Sequence, residues 1–180
     1  MKKALIVIDY TYDFVADDGK LTCGKPGQAI EKNISTLIEQ FIEQNDVLVF
    51  ANDLHVENDP YHPESKLFPP HNIVGTKGRE LYGSVKELYE TYQDRVISFD
   101  KTRYSAFAGT NLDILLRERN VEEVILVGVC TDICILHTAV DSYNLGYKIT
   151  VPEHAVASFN EIGHKWALGH FKSCLGASII

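Results

Sequence analysis

Short runs of apolar, largely β-branched residues alternate along the chain with stretches in which apolar positions recur every three or four residues. KALIVID at 3–9, DVLVFAND at 46–53, RVISFD at 95–100, EEVILVGV at 122–129 and YKITVP at 147–152 read as buried strands. Between the first two, Ile30, Ile34, Leu37, Ile38, Phe41 and Ile42 make one apolar stripe over 28–44, which predicts a crossover helix. A second helix is predicted from Thr110, with the Thr110 hydroxyl as cap, Asp113 three residues on, and Leu112, Leu115 and Leu116 as its face. Further helices are expected at 132–145 and 161–172, the latter carrying Ile162, Trp166 and Phe171, and ASII at 177–180 forms a last strand. This β-α alternation predicts a three-layer α/β/α fold with a mainly parallel sheet and right-handed crossovers. Residues 54–83 carry neither period and are interrupted by Pro60, Pro63, Pro69 and Pro70. Loops longer than about 15 residues are uncommon in compact domains unless they have a function.

Composition narrows the partners. The 180 residues are 45% hydrophobic, which suits one globular domain spanning 1–180. A net charge of −8 without basic runs argues against nucleic acid or an anionic membrane surface and favours a small-molecule substrate. The apolar run Ala4–Ile8 is stopped by Asp9, too short for a signal peptide or a membrane span, so a cytoplasmic protein is expected. In that compartment Cys23, Cys130, Cys134 and Cys174 are expected as free thiols.

Ligands of open parallel sheets bind beyond the carboxyl ends of the strands. Here those ends are polar: Asp9 after the first run, Asp53 with His55 after the second, Asp100 and Lys101 after the third, and Cys130 and Cys134 after the fourth. A carboxylate, an ammonium and a thiol at one edge are the parts of nucleophilic catalysis. The glycine-rich turn of a dinucleotide site is absent, since DYTYDFVADDGKL follows the first strand. VGVCTDICILHTA at 127–139 reads as strand, turn and helix, with Thr131 as N-cap and Cys134 in the first helical turn. There the helix dipole and a cation such as Lys101 would favour a thiolate. Cys130 sits in the turn, where its backbone N–H is better placed than its thiol to bind an oxyanion. His137, three residues from Cys134, competes with Asp9 as base but reads as a satisfied buried histidine. Asp53 and His55 have the spacing of a two-ligand metal clip on extended chain, with Glu64 and His71 following and Glu57, Asp59 and His62 as alternatives. Such donors suit zinc, manganese or iron.

Asp9, KTRYSAF at 101–107 and GVCTDIC at 128–134 together resemble the isochorismatase-like cysteine hydrolases. The block DLHVEND…HPESKLFPPH at 53–71 is similar to that of the family's metal-dependent nicotinamidase branch. The resemblance implies a six-stranded parallel sheet, a catalytic triad of Asp9, Lys101 and Cys134, and one divalent metal, zinc foremost, held by Asp53, His55, Glu64 and His71. It further implies a cis Val129–Cys130 peptide, oxyanion binding by the N–H groups of Cys130 and Cys134, and a homo-oligomer. The expected reaction is hydrolysis of nicotinamide, and of pyrazinamide, through a Cys134 thioester. Phe14, Phe68 and Tyr104 are the expected walls for the aromatic ring, Phe68 because it precedes His71 by three. Three other readings compete: a related small-amide or carbamoyl hydrolase, a metal-activated water hydrolase with a structural Cys134, and a binding protein without activity.

Overall fold

The computed structural model describes residues 2–180. Among these residues there are seven strands: β1 (Lys2–Ile8), β2 (Val47–Asp53), β3 (Ile97–Lys101), β4 (Val121–Val129), β5 (Lys148–Val151), β6 (Val156–Ala157) and β7 (Ser178–Ile179). They pair in parallel in the order β3-β2-β1-β4-β5-β7, with β6 beside the end of β4. The seventh strand, beyond the six expected, is β6, whose two residues are too few to show a period.

Helices α1 (Tyr12–Val15), α2 (Lys25–Ala29) and α3 (Glu31–Glu43) lead from β1 to β2, and α4 (Gly83–Tyr92) precedes β3. α5 (Leu112–Glu118) joins β3 to β4, α6 (Leu136–Asn144) follows β4, and α7 (Glu161–Cys174) precedes β7. Alternate residues of β1 divide the core. Leu5 and Val7 pack with Ile34 and Ile38 of α3 and Val85 of α4, whereas Ile6 and Ile8 pack with Leu116 of α5, Ala139 of α6 and Phe171 of α7. Each such aliphatic side chain taken from water contributes about 1.5–3 kcal/mol, enough to fix the register of the central strand.

Several local expectations need correction. The 28–44 helix is two helices that meet at Ile30. The cap of α5 is Asn111, not Thr110; the Thr110 hydroxyl instead accepts from the Leu112 N–H at 3.3 Å. Thr131 does not cap its helix, because its hydroxyl is committed to His164 Nδ1 at 2.8 Å and Cys130 takes the cap position. Of the three apolar residues expected to pack on α7 only Phe171 is buried, beside Ala167, with Ile162 and Trp166 facing out at 83% and 58% exposure. The sequence reading also left α4 unassigned, although Val85, Leu88, Tyr89 and Tyr92 have helical spacing and pack on the α3 face of the sheet.

The order of strands positions the chemistry. β1 lies between β2 and β4, so the chain leaves β1 for one side of the sheet and later returns on the other, making a crevice at the carboxyl edge. β1 and β4 approach closely there. A Cβ on Gly128 would stand 2.0 Å from the Ile8 carbonyl oxygen, and Gly128 also has φ +116°, so only glycine fits.

Candidate active site

Four parallel strands end at this crevice. Asp9, at φ 55°, follows β1 in the left-handed region that aspartate tolerates better than most residues. Asp53 ends β2 and Lys101 ends β3, as direct neighbours in the register. β4 ends at a cis Val129–Cys130 peptide, and one π-helical turn (Thr131–Ile135) brings Cys134 back to the crevice. The Cys130 carbonyl accepts from the N–H groups of Ile133 and Ile135, both at 3.1 Å. Among the described residues, neither the Cys130 nor the Cys134 N–H takes part in a turn, loop or cap hydrogen bond.

The three candidate catalytic side chains meet. Lys101 Nζ lies 2.7 Å from Asp9 Oδ2 and 3.5 Å from Cys134 Sγ, and it also donates to the Arg103 carbonyl at 3.2 Å. The Asp9 carboxylate and the Cys134 thiol shift each other's proton affinity, as neighbours around the Lys101 ammonium do. All three are buried. Burial pushes the Asp9 carboxyl above its ordinary value; the Lys101 ammonium opposes this and the Asp53 carboxylate adds to it. Burial alone would lower Lys101, but Asp9, Cys134 and Asp53 outweigh it and hold the ammonium charged. Burial, and then Asp9, push the Cys134 thiol well above its ordinary value, with Lys101 opposing. Desolvation and the carboxylate neighbour thus act against the thiolate that the helix dipole and Lys101 favour.

The loop after β2 folds back over the crevice. Its two 3-10 turns, Pro63–Lys66 and Lys77–Arg79, are too short for a sequence period to reveal. Asp53, His55, Glu64 and His71 are all buried. His55 Nε2 and His71 Nε2 approach Asp53 Oδ2 at 2.8 and 3.4 Å, and His71 Nε2 is 3.7 Å from Glu64 Oε2. Neither histidine nitrogen meets hydrogen-bond geometry, so two buried nitrogens face carboxylates without a well-formed hydrogen bond. His71 Nδ1 faces the Pro69 carbonyl at 2.8 Å; donating there leaves the Nε2 lone pair free for a cation. Asp53, His55 and His71 lie close enough to share one ion, and the donor set fits a divalent metal.

Of the alternative donors, Glu57 is exposed and Asp59 turns its carboxylate to the Tyr61 N–H. His62 is buried and grouped with His55 and Glu64, but its two ring nitrogens are engaged, Nδ1 by the Glu64 N–H at 3.3 Å and Nε2 with the Thr102 carbonyl at 2.9 Å. Its role in this arrangement is to hold the loop. His137 is exposed, contrary to expectation, with Nδ1 on the Ile133 carbonyl at 2.7 Å and its ring against Tyr104.

A narrow pocket joins the two centres. Phe14, Phe68 and Tyr104 line it together with Cys134, Asp53 and Glu64, so the three predicted aromatic residues stand around the thiol and the carboxylates at once. Leu21, Ile133 and Phe159 also contribute, and the sequence reading did not single them out. Leu21 and Phe159 come from segments outside the motifs, and Ile133 sits inside GVCTDIC, where an apolar residue gives no signal of its own. A larger cavity of about 420 Å³ on the outer side of the loop shares Glu64 and Phe68 but does not include Cys134, so the chemistry belongs to the smaller pocket.

This crevice, with a buried thiol, carboxylate and ammonium on a parallel sheet, has counterparts. The Isochorismatase domain model matches residues 3–179, and the chain belongs to that family. It is 59% identical over 99% of both chains to an uncharacterized isochorismatase family protein of Bacillus subtilis, PncA. The crystal structure of the nicotinamidase/pyrazinamidase PncA from Bacillus subtilis superposes with a TM-score of 0.97 at 57% identity, covering 99% of each chain. A pyrazinamidase of Pyrococcus horikoshii in complex with zinc gives a TM-score of 0.87 at 28% identity, covering 100% of this chain and 99% of the other.

Proposed function

We propose that this protein hydrolyses nicotinamide to nicotinate and ammonia, and pyrazinamide likewise, through a thioester on Cys134. One observation carries the reading: a single small aromatic-walled pocket holds both the Cys134 thiol and the carboxylates of the cation site. Relatives named as nicotinamidase/pyrazinamidase, nearly identical in fold over the whole length, support it over a carbamoyl hydrolase.

The chemistry follows from the geometry. As the Cys134 sulfur attacks the carboxamide carbon, Asp9, which shares the Lys101 ammonium with the thiol, takes the thiol proton. The raised Asp9 carboxyl is the stronger base for that burial. Backbone N–H groups of Cys130 and Cys134 are assigned to the oxyanion, each such donor contributing about 3 kcal/mol. Asp9 then gives its proton to the departing nitrogen, which leaves as ammonia. Water adds to the thioester as Asp9 accepts its proton, the carbon–sulfur bond breaks, and the thiol takes that proton back as nicotinate forms. Lys101 stays charged throughout and offsets the negative charge shared between Asp9 and sulfur.

Asp53, His55, Glu64 and His71 are assigned as metal ligands, with zinc favoured by the nitrogen and oxygen donors. A bound ion supplies a Lewis-acidic position for the pyridine nitrogen. Phe14 and Phe68, whose rings lie 5.2 and 6.3 Å from His71, and Tyr104 on the Cys134 side confine the flat ring. Self-association belongs to the same proposal, because Ile162 and Trp166 stand exposed one turn apart on α7, with His170 stacked on Trp166. A cytoplasmic location suits four free cysteines, and no helix among the described residues is long and apolar enough to cross a membrane.

The test is ammonia release from nicotinamide, pyrazinamide and an N-carbamoyl amino acid. Turnover of the two pyridine-type amides with none of the carbamoyl compound is expected; the opposite selectivity refutes the proposal.

A further inference from the structure

The residue after the last metal-site histidine is bound more completely than the histidines themselves. Asn72 is fully buried and has φ 46°, left-handed backbone that asparagine adopts readily. All four of its hydrogen-bonding groups are used. Its N–H donates to Asp13 Oδ2 at 2.8 Å, and its carbonyl accepts from the His55 N–H at 3.0 Å. Its side-chain oxygen accepts from the Thr11 hydroxyl at 2.9 Å, and its side-chain nitrogen donates to Asp53 Oδ2 at 3.3 Å.

The last bond is the informative one. Asp53 Oδ2 is the oxygen that His55 Nε2 and His71 Nε2 both approach. The Asn72 amide therefore holds the carboxylate oxygen on which the candidate ligands converge, while its backbone carbonyl holds the chain of His55. The Thr11 hydroxyl, accepted by the amide oxygen, fixes which end of the amide faces Asp53. Thr11 itself is buried two residues after Asp9, so one short chain of contacts runs from the β1 terminus to the cation site.

We infer that Asn72 is a positioning residue for the metal: its side chain, oriented by Thr11, sets the rotamer of Asp53 and so the affinity of the site for a divalent ion. The inference rests on the metal reading given above. Partners that orient a metal ligand in this way change affinity by about 10–100-fold when removed.

Asn72→Gly keeps the left-handed backbone and both main-chain bonds while deleting the amide. Zinc affinity is measured by competition with a chromophoric chelator, alongside the circular dichroism and melting temperature of the metal-free protein. The expected result is zinc binding weakened about 10–100-fold in a folded protein. Thr11→Val, which preserves shape and removes only the orienting hydroxyl, is expected to weaken zinc binding by a smaller factor, and carries the test if Asn72→Gly does not fold. Affinity within twofold of wild type in the folded variant, or a fall only in metal-free melting temperature, overturns the inference and leaves the proposed function standing. Wild-type protein that takes up no zinc overturns both.

Discussion

The backbone N–H of Asp53 donates to Asp9 Oδ1 at 2.6 Å. Asp53 thus faces two ways: its carboxylate points into the candidate cation site and its main chain holds the Asp9 carboxylate beside Cys134. The second Asp9 oxygen is left for Lys101, so neither carboxylate can rotate without breaking a buried contact. The Cys134 thiol and the candidate metal ligands are in this way held at a fixed separation, which a substrate of the proposed reaction would have to match.

Replacing the proposed nucleophile separates a thiol mechanism from water activated at the metal. Cys134→Ala is expected to lower ammonia release from nicotinamide by about 10⁴-fold or more, as for other removed nucleophiles. Steady-state assay with zinc-loaded protein decides it. A variant that keeps a tenth of wild-type turnover makes Cys134 structural.

Lys101 is 1% exposed and pairs with a carboxylate that is fully buried. Lys101→Met keeps the length of the chain and removes the charge, leaving burial to raise Asp9 unopposed. Stability to urea should fall by about 3 kcal/mol, the cost of stranding a buried charge, and turnover at pH 7 should fall by about 100-fold or more.

The pH profile carries the sign of the Asp9 shift. Its carboxyl is raised above the ordinary 3.8, so the folded protein holds the proton more tightly than the unfolded chain. The associated stability is greatest below 3.8 and is lost as pH rises through the raised value. Activity runs the other way, because the base form is required. The acid limb of kcat/KM should therefore have its midpoint above 3.8, and in Lys101→Met it should move higher still. A limb at or below 3.8 contradicts the role given to Asp9.

Chelation should empty the site and leave a folded protein. Stripping the metal is expected to raise KM for nicotinamide and lower the melting temperature, both restored by zinc; excess ion at 100 times its Kd stabilises by about 2.7 kcal/mol. His71→Ala should lose this response. Differential scanning calorimetry with and without zinc reads it directly.

Light scattering tests self-association. Trp166→Glu places a charge in the exposed stripe on α7 and should convert a multimer to the mass of one chain with activity retained. A wild-type protein that is already monomeric removes the proposal.

Much of this was legible in the sequence because the informative residues end strands. Asp9, Asp53 and Lys101 each close an apolar run, and a parallel sheet must bring such ends to one edge. Periodicity found five strands and placed α3, α5, α6 and α7, and the tail at 177–180 supplied β7. It failed where contacts rather than pattern decide. Thr131 has the residue type of a cap but is bonded to His164, and Trp166 has core spacing on a helix whose outer face has no neighbour within the described residues. His62 has the type of a ligand, yet its surroundings occupy both nitrogens. Asn72 belongs to no motif, and only the three-dimensional convergence of Thr11, Asp13, His55 and Asp53 sets it apart.

The long loop has a second consequence, at the margin of the sheet. After delivering His71 it continues to the short turn at Lys77–Arg79, where Arg79 pairs with Asp100 of β3. β3 is an outermost strand, and outermost strands with free backbone groups are templates for intermolecular pairing and aggregation. The segment that shapes the pocket therefore also guards a sheet edge, and shortening it would expose the protein to self-templated precipitation as well as to loss of its cation.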